Sequence, residues 1–142
     1  PGGLATYGFV IRHPDGVEII HSGKGIAYNK GHPLSTNNTA EYSALGFALK
    51  WLVDQGWIGE LEILGDSQLV VNQVNGAYKV NEAIAPFYST AYVVYQTLAK
   101  KAPTSINWIR REFNQEADAL CNRVMDRHGV VCSKKGKKRL EF

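Results

Sequence analysis

An α/β fold, with a mixed sheet carrying helices on its faces, follows from two features of this 142-residue sequence. An aromatic and β-branched run and a second run over residues 17–27, divided by Pro14-Asp15-Gly16, open the chain and read as an antiparallel hairpin. Beyond them, strand-like runs alternate with longer segments of helical periodicity, in the order β-β-α-β-α-α-β-α. In such sheets ligands bind at the carboxyl ends of strands, where loops and helix starts converge.

The elements follow in order. The first strand is Thr6-Tyr-Gly-Phe-Val-Ile-Arg12, and the second covers residues 17–27. The polar cluster Ser35-Thr-Asn-Asn-Thr39 precedes a helix whose Leu45, Ala48, Leu49 and Leu52 share a face, and which should stop near Gly56. Residues 61–64 form a short strand ending in Gly65-Asp66, and residues 67–74 a helix stopped by Asn75-Gly76. A further helix spans residues 84–100, with Pro86 tolerated in its first turn. Residues 106–109 are a strand, and Asn114 opens a last helix to about Arg127. Residues 129–142 have no clear period. The reading is therefore one domain over residues 1–128 and a basic tail over 129–142.

Composition narrows the class. Hydrophobic residues make up 44% and charged residues 20%, which excludes disorder and collagen. Cys121 and Cys132 are too few for a disulfide framework and suit a reducing compartment; a buried and an exposed thiol are expected. With no apolar run of about 18 residues and no signal-peptide pattern, a cytoplasmic protein without a membrane partner is expected. The net charge of +3 is unevenly placed: residues 1–133 hold 11 Lys and Arg against 12 Asp and Glu, and residues 134–142 hold five against one.

Three acids end or begin elements. Glu41 stands one turn before Leu45 and reads as a site acid and as the far end of a capping box begun by Asn38, two uses that do not exclude each other. Asp66 follows the strand at 61–64 and is either a site acid or the N-cap of the next helix. Asp118 lies early in the last helix, where the helix dipole alone favours an acid. Three carboxylates meeting at one sheet edge repel each other unless cations are present. An all-oxygen cluster suits Mg²⁺ or Mn²⁺, and two such ions about 3.5–4 Å apart suit phosphodiester hydrolysis.

Three ordered blocks, Ser35-Thr-Asn-Asn-Thr-Ala-Glu41-Tyr, Gly65-Asp66-Ser-Gln-Leu-Val and Asn114-Gln-Glu-Ala-Asp118-Ala-Leu, resemble the active-site blocks of type 1 ribonuclease H. The opening Pro1-Gly-Gly-Leu-Ala-Thr-Tyr-Gly-Phe-Val-Ile11 resembles that family's second strand, and the likeness runs to about Arg127. It implies a ribonuclease H-like mixed five-stranded sheet flanked by helices. It also implies a metal-dependent endonuclease that cuts the RNA strand of RNA/DNA hybrids and leaves 5′-phosphate and 3′-hydroxyl ends. Glu41, Asp66 and Asp118 match the second, third and fourth of the family's four catalytic, metal-holding carboxylates. Thr36, Asn37 and Asn38 match the run that contacts the hybrid's minor groove, and Gln68 and Asn114 match further substrate contacts. Amides both donate and accept, so they read 2′-hydroxyls and base edges without adding charge. Turn formation and capping are the competing uses of Asn37 and Asn38, and an ordinary surface or N-cap position that of Gln68 and Asn114.

The chain departs from the family in three ways. The first acid, expected on a strand before Pro1, is absent, and Asp15-Gly16 falls in the hairpin turn and does not replace it. No His stands near Arg110-Arg-Glu-Phe113, where many members carry one; Arg111 or Glu112 would take part of its role, and His13, His21, His32 and His128 are expected to face solvent. The basic, Trp-rich protrusion is missing, and Tyr88, Tyr92 and Tyr95 recur at helical spacing as a core face. Lys134, Lys135, Lys137, Lys138 and Arg139 are expected either to contact phosphates or to remain a solvated tail.

The resulting expectation is a monomeric ribonuclease H acting on RNA/DNA hybrids with two Mg²⁺ or Mn²⁺ ions. The alternatives are a hybrid-binding domain without turnover and another nuclease of the same superfamily. The family's first strand lies centrally, between the hairpin and the strand at 61–64. A central strand of about 5–6 residues is therefore expected either upstream of Pro1 or from another segment, since a gap would leave backbone groups unpaired on both sides.

Overall fold

The computed structural model of the chain describes residues 5–13, 19–28, 31–34, 36–110 and 137–142. Strand β1 (Ala5–Arg12) pairs antiparallel with β2 (Ile19–Tyr28), as the hairpin reading requires. The register sets Phe9 opposite Gly23, where a Cβ would stand 2.5 Å from the Phe9 ring. The ring thus crosses bare backbone, and glycine is what makes room for it. Asp15 and Gly16 lie outside the described residues.

Helix α1 (Asn37–Asp54) buries Tyr42, Leu45, Ala48, Leu49 and Leu52 along one stripe. Its start corrects the predicted Asn38–Glu41 capping box. Thr36 is the N-cap: its Oγ1 accepts from the Thr39 N–H at 3.2 Å, and the Thr39 hydroxyl accepts from the Thr36 N–H at 3.2 Å. Two short hydroxyls close the box, so Glu41, one turn further on, takes no part in it. The helix stops where expected, at Gly56, whose φ of +73° is left-handed.

Strand β3 (Glu60–Gly65) runs parallel to β4 (Thr104–Trp108), and between them the chain forms α2 (Gln68–Val74) and α3 (Ala85–Ala99). Pro86 sits in the first turn of α3, where its missing N–H costs nothing. Tyr88, Tyr92 and Tyr95 pack against the core as expected, with Tyr88 and Tyr92 stacked at 5.2 Å. His21 does not face solvent: it is half-buried and stacks on Trp51 at 4.3 Å with 5° between the ring planes.

The sheet has five strands in the order β2-β1-β5-β3-β4. Its central strand, β5 (Lys137–Glu141), comes last in the chain. It runs antiparallel to β1 and parallel to β3, between the hairpin and the strand that ends at Asp66. Of the two sources anticipated for a central strand, another segment of the chain supplies it. This corrects the reading of residues 137–141 as a tail.

The charges of Lys138, Arg139 and Glu141 are met by neighbouring side chains. Lys138 is 3% exposed, with its ammonium 4.0 Å from the centre of the Trp57 ring. Arg139 Nε donates to Glu62 Oε1 at 3.0 Å, and Glu141 pairs with Arg12 at 3.4 Å. Leu140 and Phe142, alternate residues on one face, join Ile11, Leu61, Ile63 and the α1 leucines in the core. A fully buried side chain of this size contributes roughly 1.5–3 kcal/mol, so Leu140 anchors the strand.

Lys138 and Arg139 thus belong to the sheet, Lys138 buried and Arg139 partly buried beside Glu62. Lys134 and Lys135, the side chain of Lys137, the helix predicted from Asn114, both cysteines and His128 lie outside the described residues. Among the described residues, no helix is long and apolar enough to cross a membrane.

Candidate active site at the carboxyl end of β3

Asp66 is the first residue beyond β3 and leads into α2. The capping alternative for it does not hold, because Ser67 is the N-cap and its Oγ accepts from the Val70 N–H at 3.2 Å. A serine in the next position has taken over the task that most often explains such an aspartate. Asp66 is half-buried, with Oδ2 shielded from solvent, at the strand end where mixed sheets place their ligands.

The backbone at this corner is held from both neighbouring strands. On the β5 side, Phe142 donates its N–H to the Leu64 carbonyl at 3.0 Å. Its ring covers Gly65 so closely that a Cβ there would stand 2.5 Å from ring carbons. On the β4 side, Ile109 donates its N–H to the Gly65 carbonyl at 2.9 Å, and the Trp108 indole Nε1–H donates to the Asp66 carbonyl at 3.1 Å. Neither Trp108 nor Phe142 was among the predicted site residues. No local motif marks them, since their roles arise only once β4 and β5 flank β3.

Glu41 is half-buried in the second turn of α1. The next residue, Tyr42, links α1 to α2: its hydroxyl donates to Gln73 Oε1 at 2.5 Å, and Gln73 Nε2 donates to the Lys79 carbonyl at 3.2 Å. Tyr42 and Gln73 are 2% and 1% exposed, so the bond forms where water does not compete. Burial, and then the neighbouring Tyr88, pushes the Tyr42 hydroxyl pKa well above its ordinary value. Helix α1, which carries Glu41, is thus fastened to α2, which follows Asp66.

The predicted substrate contacts fall on two helix starts. Asn37 is exposed and Asn38 half-buried in the first turn of α1, and Gln68 is exposed as the first residue of α2. Neither first turn carries an acid. Thr36, by contrast, spends its hydroxyl in the capping box. Asp118 and Asn114 lie outside the described residues, and among the described residues no three His, Cys, Asp or Glu side chains form a metal-holding group. Glu141, the acid on β5, alternates with Leu140 onto the opposite sheet face and pairs with Arg12 at 3.4 Å. A separate apolar groove of about 340 Å³ runs between α1 and α3, lined by Tyr42, Phe47, Phe87, Ala91 and Val94, and includes none of the predicted site residues.

Comparison with known proteins agrees with this fold. Residues 2–124 match the family described as reverse transcriptase-like. Over 125 residues, 87% of its length, the chain is 35% identical to ribonuclease HI of Halobacterium salinarum, of which it covers 58%. Among solved structures, the N-terminal RNase H domain of Rv2228c from Mycobacterium tuberculosis aligns with a TM-score of 0.70 at 33% identity, over 84% of this chain and 81% of that one. LC11-RNase H1, solved in complex with an RNA/DNA hybrid, aligns with a TM-score of 0.72 at 29% identity, over 86% and 87%. The chain spans 58% of the Halobacterium protein and 32% of a further curated relative from Mycobacterium bovis.

Proposed function

Since the chain belongs to the reverse transcriptase-like family, on its ribonuclease H branch, we propose that it hydrolyses the RNA strand of RNA/DNA hybrids. The observation that carries this reading is Asp66: a half-buried carboxylate at the carboxyl end of an interior strand, with the capping role taken by Ser67. The hybrid bound by LC11-RNase H1 supports the choice of substrate.

Asp66, Glu41 and Asp118 would hold Mg²⁺ or Mn²⁺, and their all-oxygen donor set fits those hard cations and no soft one. When bound, such ions supply an activated water and charge stabilisation at the leaving oxygen. The chain's own residues do the rest. Asn37, Asn38 and Gln68, exposed or half-exposed at two helix starts, meet the backbone and 2′-hydroxyls of the hybrid. Thr36 contributes by setting the direction of α1, through its cap. Asn114 lies one turn before Asp118 in the sequence and completes the amide set. The products expected are 5′-phosphate and 3′-hydroxyl ends.

The test is cleavage of an end-labelled hybrid beside duplex DNA, duplex RNA and single strands, with Mg²⁺ or Mn²⁺. Cutting confined to the RNA of the hybrid is the expected result. Hybrid binding without cleavage at any metal concentration would instead make the chain a binding domain.

A further inference from the structure

We propose that Trp108 and Phe142 are positioning residues for Asp66, clamping the Gly65–Asp66 corner from the two strands beside it. The inference rests on the reading of Asp66 as a metal-holding acid and adds the residues that aim it.

The corner is where β3 gives up its ladder and the chain turns toward α2, and a backbone in that position is free to swing unless its carbonyls are held. Three successive carbonyls are held. Leu64 accepts from Phe142, Gly65 accepts from Ile109, and Asp66 accepts from the Trp108 indole. The first two continue the ladders of the neighbouring strands. The third is different in kind: it comes from a side chain, and it is bonded to the acid residue itself, beyond the end of the paired register at Gly65 and Trp108.

Phe142 acts on the other side by shape. It is 2% exposed, and its ring fills the space above Gly65, the residue covalently joined to Asp66. Movement of the Gly65 backbone toward the sheet face that the ring covers is blocked by it, and movement away from β4 breaks the Trp108 bond. A ligand held by several separate elements depends on placement to within about 0.5 Å, so a clamp on the backbone of one acid acts on metal affinity without touching the metal. Trp108 is 43% exposed, so its bond can be removed with little loss of buried surface.

The experiment measures Mn²⁺ binding by calorimetry, with thermal unfolding alongside, for wild type, Trp108→Phe, Phe142→Leu and Asp66→Asn. Trp108→Phe keeps a smaller aromatic ring and deletes the N–H donor, at a side chain that is already 43% exposed; Phe142→Leu keeps an apolar filling and deletes the fit over Gly65. The expected result is Mn²⁺ binding weakened about two- to tenfold by Trp108→Phe at a nearly unchanged Tm. Phe142→Leu is expected to weaken it similarly at a lower Tm, and Asp66→Asn most of all. In cleavage assays kcat should fall in the two clamp variants while the KM for hybrid stays put. If both clamp variants bind Mn²⁺ as wild type does while Asp66→Asn is impaired, the clamp is refuted and the site stands. If Asp66→Asn binds Mn²⁺ as wild type does, the reading of the site falls, and the clamp with it.

Discussion

Arg139 on β5 lies directly opposite Glu62 on β3 in parallel register, and its Nε donates to the Glu62 carboxylate at 3.0 Å. This pair spans 77 positions of sequence and marks the place where the last strand of the chain is set into the middle of the sheet.

The pair is only partly buried, so its energetic share is small. A double-mutant cycle with Glu62→Gln and Arg139→Met, followed by urea unfolding, should give a coupling of about 0.2–1 kcal/mol, decreasing with added salt. Its main effect is to define register, because a one-residue slip of β5 would turn Leu140 and Phe142 out of the core.

Leu140 separates a strand from a tail much more sharply. It has no exposed surface, and Leu140→Ala should cost about 2–5 kcal/mol in urea unfolding. A tail residue would cost nothing measurable. Gly65→Ala should also destabilise the fold, by about 1–3 kcal/mol, because its methyl would meet the Phe142 ring.

The buried tyrosines set an alkaline limit. Burial raises the pKa of Tyr7, Tyr42, Tyr88 and Tyr95 above the ordinary value, with neighbouring tyrosines adding to the last three. A phenol whose pKa is higher folded than unfolded contributes stability that is complete below about pH 10 and is lost as pH rises above it. Stability should therefore fall steeply from pH 10 upward. Tyr42→Phe should shallow that fall, while costing about 1–3 kcal/mol at pH 7 by leaving Gln73 Oε1 buried without its donor. Unfolding midpoints measured from pH 8 to 11.5 check both statements.

Most elements were legible because each carries its own local signal. The hairpin has an aromatic and β-branched run and a second strand-like run on either side of Pro14-Asp15-Gly16, α1 has a leucine stripe ending at Gly56, and Pro86 marks the first turn of α3. β5 has no such signal. Four of its five residues are charged, and only Leu140 and the following Phe142 show the strand period. What makes it a strand lies far away in sequence, in Glu62, Arg12 and Trp57. Its order in the chain was hidden too, since the resemblance places the equivalent strand first.

The site divides the same way. Asp66 could be found from Gly65-Asp66-Ser67 at a strand end, and the structure decides its use because Ser67 caps α2 in its place. At α1 the Asn38–Glu41 spacing pointed to a capping box, but the Thr36–Thr39 pair two residues earlier closes it. Trp108 and Phe142 were not found because an indole N–H or a phenyl ring acquires a role at Asp66 only through the pairing of strands.

The most direct measurement of the central claim is cleavage of a labelled RNA/DNA hybrid by wild type and by Asp66→Asn, in Mg²⁺ and in Mn²⁺. The account predicts RNA-strand cutting by wild type and a loss of at least about 10²-fold in the variant, the scale on which a positioned catalytic group contributes, at similar hybrid affinity. Equal cleavage by the two proteins would contradict it.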